Sequence, residues 1–199
     1  MRNRKGIMLI FFGIVIMAVP FFMRMQDRYR TKEYIRAFEE DSSEEREKEN
    51  GKEGYPLWEK GEVIGILCVE SLDIEYPVFE GAGNEQLNNG IGHLPETAKL
   101  CSEGNCVLAG HNGSRRGVFF TRLSEIKKGA EVTLTNREHV THSYIVADTK
   151  VVNPYSESVR KQTEEETLTL FTCANHGTQR FVVTCRLKGG DAAAEDVTR

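Results

Sequence analysis

The run Thr167-Leu-Thr-Leu-Phe-Thr-Cys173 has the β-branched and apolar make-up of a strand and ends on a thiol; seven residues later Arg180 opens a second such run, Phe181-Val-Val-Thr-Cys-Arg-Leu187. A cysteine at the mouth of a strand is held by rigid backbone yet stays reachable, and a neighbouring guanidinium can supply positive charge to a thiolate or a developing oxyanion. Upstream, Val107-Leu-Ala-Gly110 leads directly into His111, an imidazole at a third strand end. Gathered at one rim of one sheet, Cys173, His111 and Arg180 would make a nucleophile, an acid/base that titrates near neutrality and an anion stabiliser.

These segments resemble the sortases, the cysteine transpeptidases of Gram-positive cell envelopes. The resemblance rests on the run ending at Cys173, on Ala109-Gly-His-Asn-Gly113 and on Gln179-Arg-Phe-Val-Val183. Gly65 to Gly81 and Gly90 to Thr97 fit the same pattern in the same order, so the likeness covers roughly Gly61 to Lys188. It implies an enzyme that cleaves an LPxTG-like sorting signal through a thioester on Cys173. The acyl group would pass to an amine, either of a peptidoglycan cross-bridge or of a pilin. His111 would protonate the departing amine and deprotonate the incoming one, with Arg180 holding the oxyanion. Thr172, Asn112 and His176 are candidates for contacting substrate, and no cofactor or metal is implied. Two other readings stay open: a hydrolytic cysteine peptidase using the same residues, and a non-catalytic envelope module that binds peptides. The sortase class is also open: the lack of a second apolar span after the domain favours housekeeping-type or class D-like enzymes over class C pilin polymerases, and class B stays open too.

Around these residues the chain must build a scaffold. Of 199 residues 39% are hydrophobic and the net charge is −4, enough for one core but without the basic stripe that nucleic acid requires. From Tyr55 onward, short apolar or alternating runs are separated by Gly, Asn and Pro. Strands are expected at Val63–Val69, Ile74–Phe79, Cys106–Ala109, Glu131–Thr135, His142–Val152, Thr167–Thr172 and Phe181–Leu187, with short helices at Asn84–Asn89, Val118–Ile126 and Ser156–Gln162. The expected fold is mainly β: a single closed or nearly closed sortase-type β-barrel over 55–188, preceded by an N-terminal transmembrane helix.

That helix is read from Ile7 to Met23, a charge-free apolar run slightly shorter than the usual ~20-residue span. Residues 1–6 would then lie in the cytoplasm and 24–54 would form a charged stalk, while 189–199 would be a disordered tail. Basic residues flank the run on both sides, so the extracellular placement of the barrel follows from the resemblance and not from the charges. A cleaved signal peptide is the rival reading. Within the stalk, Tyr34, Ile35 and Phe38 share roughly one helical face, which admits a regulatory helix covering the active site.

His93, His139 and His142 are rivals to His111, the latter two beside an expected hairpin turn. Leu94-Pro-Glu-Thr-Ala98 itself reads like a sorting signal, but its mid-domain position makes it a structural loop. Cys101 and Cys106 flank a turn-like Ser-Glu-Gly-Asn and could close a small disulfide ring, whereas Cys68 and Cys185 fall in strands. Glu70, Asp73, Glu75, Glu80 and Glu85 offer carboxylates for calcium without EF-hand spacing.

Overall fold

The computed structural model describes residues 2–45, 62–113 and 119–189. Eight strands close into a barrel: β1 (Val63–Val69), β2 (Ile74–Glu80), β3 (Ile91–His93), β4 (Asn105–Ala109), β5 (Glu131–Asn136), β6 (Thr141–Val152), β7 (Thr167–Ala174) and β8 (Gln179–Leu187). Their order around the barrel is β1-β2-β3-β4-β7-β8-β6-β5. The pairs β2–β3 and β4–β7 are parallel, and the rest are antiparallel. The expected strands therefore form, with β3 added; at three residues it is too short to show a period in the sequence. Asn84–Asn89 is the helix α2, while the other two expected helices shrink to single 3₁₀ turns at Leu123–Glu125 and Glu157–Val159.

Alternation along β4, β7 and β8 sends side chains to both faces. Leu108, Leu168, Leu170 and Val183 join Leu67, Val78, Ile91, Phe120 and Leu134 inside the barrel. Val107, Ala109 and Val182 point outward, where Leu94 and Val159 cover them and Phe171 packs against the cluster. The segment between β6 and β7 is pinned over this outer face because Asn105 Nδ2 donates to the carbonyls of Val159 and Lys161, at 3.1 and 3.0 Å. Burial on both faces explains why these strands read as continuous apolar runs.

Leu94–Ala98 is a turn. Thr97 donates through both its N–H and its hydroxyl to Leu94 O and accepts from Val107 N–H, so this segment is part of the scaffold between β3 and β4.

The described residues Arg2–Glu45 form one helix, α1, longer than the expected span. Among the described residues no helix is long and apolar enough to cross a membrane. The transmembrane helix expected at Ile7–Met23 is thus not found among the described residues. Phe11, Phe12, Ile14, Ile16, Met17, Phe21 and Phe22 are nonetheless strongly exposed. Further along, the expected stalk is docked at its helical part. Tyr34 packs edge-on against Phe79 with ring centroids 5.3 Å apart, and buried Phe38 lies 5.4 Å from the His139 ring. The remainder of that segment, 46–54, and the tail from 190 lie outside the described residues.

Candidate active site

Register brings the three chemical residues to one rim. In the antiparallel β7–β8 pair Cys173 is the direct partner of Arg180, so both side chains leave the same face, the one that carries Phe171 and Val182. In the parallel β4–β7 pair Ala109 is the partner of Phe171, and Gly110 N–H donates to Phe171 O at 3.2 Å. His111 and Cys173 each stand two residues beyond that pair, at the same end of two adjacent strands. All three are half-buried, which keeps them both fixed and reachable.

Gly110 is glycine because the backbone passes against an aromatic ring there: a Cβ would sit 2.5 Å from Phe120 Cδ2 and 2.9 Å from Ile91 Cδ1. The chain then folds back on itself, with Phe120 N–H donating to His111 O at 3.1 Å and Asn112 bridging to Phe119. The Phe119 ring lies 6.5 Å from the imidazole of His111 and 5.1 Å from the ring of Tyr76, forming an aromatic wall on the β2 side. Neither aromatic residue stands out in the sequence, since nothing local links position 76 to position 111.

On the other side a tight turn, Asn175–Gly177, joins β7 to β8. Asn175, His176 and Gly177 all take positive φ, at 47, 55 and 88°, and the side-chain amide of Asn175 donates to Gln179 Oε1. Arg180 Nη1 donates to Gly177 O and Gln179 O, both at 3.0 Å, so one guanidinium nitrogen braces the turn. His176 is exposed at the tip of that turn. Thr172 is 2% exposed, and its hydroxyl donates to Gly110 O at 2.7 Å. Asn112 is exposed and donates from Nδ2 to Cys173 O at 2.8 Å.

The rival histidines belong to the scaffold. His93 is buried, with Nδ1 2.9 Å from Glu80 Oε2 and Nε2 3.0 Å from Ala98 O. His142 Nδ1 lies 2.7 Å from Glu166 Oε1, which also accepts from Tyr144. His139 lies in the β5–β6 turn against Phe38, its Nε2 buried without a partner among the described residues.

The ring that Cys101 and Cys106 could close does not form: all five cysteines are free thiols. Cys101 donates to Leu134 O at 3.3 Å from a backbone at φ 56°, and Cys106 is in the core. Burial pushes the Cys101 thiol up to about 11, the Cys185 thiol up to about 12 and the Cys106 thiol well above its ordinary value. Among the described residues no group of three or more His, Cys, Asp or Glu is placed to hold a metal ion.

Helix α1 touches the barrel on β1 and β2. Val69 pairs with Ile74 at one end of the β1–β2 hairpin and Val63 with Phe79 at the other. Tyr76 at the first end reaches Phe119 beside His111, whereas Tyr34 meets Phe79 at the second. The ring contacts of the docked face, Tyr34 with Phe79 and Phe38 with His139, involve none of Cys173, His111 and Arg180.

Known proteins resemble this chain in sequence and in fold. The chain is 28% identical to Sortase A of Bacillus anthracis over 200 residues, covering 94% of each chain. It is 32% identical to Sortase D of Bacillus subtilis (strain 168) over 116 residues, which span 58% of this chain and 56% of that one. A solved Clostridium perfringens Sortase D5 transpeptidase superposes with a TM-score of 0.65 at 25% identity, covering 82% of this chain and 98% of that one. With the sortase-domain family model matched over residues 67–188, the chain belongs to the sortase family of cysteine transpeptidases.

Proposed function

We propose that the protein cleaves an LPxTG-like sorting signal and transfers the released acyl group to an amine of peptidoglycan or of a pilin. Cys173 Sγ attacks the signal threonine's own carbonyl carbon, in the amide bond that follows that residue, and Arg180 stabilises the resulting oxyanion. His111 gives a proton to the departing amine as the C–N bond breaks, leaving a thioester. An incoming amine surrenders its proton to His111 as it displaces the sulfur, which restores the enzyme. His176, exposed at the turn beyond Cys173, contacts substrate.

The observation that supports this reading is the direct pairing of Cys173 with Arg180 beside the strand end that carries His111. The N-terminal run is proposed to hold the enzyme at a membrane with the barrel outside the cell. A stretch that exposes large apolar side chains such as Phe11, Ile14, Met17 and Phe22 is unsuited to water.

The test mixes enzyme, sorting peptide and an amine acceptor and follows thioester and products by mass spectrometry. Ligated product in excess over hydrolysis, abolished in Cys173→Ala with the fold intact, is the expected result. Hydrolysis alone would make the protein a peptidase, and undiminished transfer by Cys173→Ala would end the assignment.

A further inference from the structure

The parallel β4–β7 ladder has a regular sequence of rungs up to the rim. Thr167 N–H donates to Gly104 O and Gly110 N–H donates to Phe171 O, and the strand register ends at Ala109 with Phe171. Continued by backbone alone, the next two rungs would run from Cys173 N–H to Gly110 O and from Asn112 N–H to Cys173 O. Side chains reach those two oxygens instead. The Thr172 hydroxyl donates to Gly110 O at 2.7 Å, and Asn112 Nδ2 donates to Cys173 O at 2.8 Å.

We infer that Asn112 is a positioning residue: its side-chain amide stands in for a backbone rung and holds the main chain of Cys173 against the loop that carries His111. A side-chain donor is longer than a backbone one, so it lets the two strand ends part while preserving their register. The separation leaves room between thiol and imidazole, and the bond keeps that separation constant. Asn112 is adjacent to His111, and its acceptor is the carbonyl of the nucleophile itself, so losing the bond frees the relative position of the reacting groups without touching substrate. This assignment rests on the proposed roles of Cys173 and His111 and replaces the expectation that Asn112 binds substrate.

The test compares wild type with Asn112→Asp, which keeps the shape but removes the donor, and with Asn112→Gln, which keeps a donor on a longer arm. Two readings are taken: steady-state transfer of a sorting peptide, and the rate at which iodoacetamide alkylates the peptide containing Cys173, which needs no substrate. Asn112→Asp is expected to lower kcat and the alkylation rate by about fivefold to tenfold, the worth of one such hydrogen bond, with KM unchanged. Asn112→Gln should recover part of both. In a His111→Ala background the alkylation effect should vanish, because there is no longer a partner to position.

A raised KM at unchanged kcat would make Asn112 a substrate contact and overturn the inference. Equal alkylation rates in wild type and Asn112→Asp, or an equal loss with and without His111, would overturn it as well. Should the wild type transfer nothing, the proposed function fails, while the alkylation rates still decide the positioning role.

Discussion

Cys173 and Arg180 are direct cross-strand partners on β7 and β8, separated by a turn that Arg180 itself braces through the Gly177 and Gln179 carbonyls. The guanidinium is thus fixed before any substrate arrives, the condition under which a donor stabilises charge without reorganising. Arg180→Ala is expected to lower kcat for transfer by about 10²- to 10³-fold. Arg180→Lys should recover only part, since an ammonium lacks the planar fork that braces the turn and faces the oxyanion together. Peptide-transfer kinetics check both.

Gly110→Ala tests the close passage of the backbone beside the site. Its Cβ would meet the Phe120 ring at 2.5 Å, and Phe120 is fully buried. The ring has no free space to retreat into, so the cost should be about 1–3 kcal/mol in urea unfolding. Because Phe120 N–H holds His111 O, the displacement should also lower kcat.

Helix α1 meets the barrel through Tyr34 on Phe79 and Phe38 on His139. Phe38→Ala is expected to expose α1 to limited proteolysis, since it removes the most buried side chain of the docked face. Transfer of a soluble peptide should stay within about twofold of wild type, because the Phe38 ring packs on His139 and not on Cys173, His111 or Arg180. A marked rise in activity would show instead that the helix restrains the enzyme.

The buried thiols carry a pH signature. Cys185 holds its proton to about 12 in the fold, against an ordinary value of 9.0, because burial penalises the thiolate. Above pH 9 the unfolded chain releases that proton while the folded one retains it, so stability is full below pH 9 and falls as pH rises toward 12. Cys101, raised to about 11, adds to the fall over a narrower window. Thermal melts from about pH 8 to about pH 11 should show a declining Tm. Cys185→Ala should start lower, from the cavity it leaves, and decline less steeply.

Parts of this site are legible in the sequence alone. The β-rich runs on either side of Asn175–Gly177 are close enough to form a hairpin, which already pairs Cys173 with a residue near Arg180. Asn84–Asn89 and the boundaries of β1 are readable from turn residues and alternation. The Leu94–Ala98 segment is recognisable as a loop from its mid-domain position. Elsewhere the fold departs from the expectation for identifiable reasons. β3 is too short to carry a period, and Cys101 and Cys106, close in sequence, remain free thiols. The run at Ile7–Met23 has the composition of a span, yet among the described residues no helix is long and apolar enough to cross a membrane.

Strand identity, turn positions and the residue types able to do chemistry were determined by the chain itself, because they depend on side-chain alternation and on neighbours a few positions away. That His111 stands beside Cys173, far away in sequence, was decided by the parallel pairing of β4 with β7 in the closed barrel. The same holds for the wall of Tyr76 and Phe119, for the docking of Tyr34 and Phe38, and for the amide of Asn112 on the nucleophile's carbonyl. Which distant strands become neighbours depends on closing the barrel and burying both faces of its central strands at once, a condition on the whole chain that no short window of sequence contains.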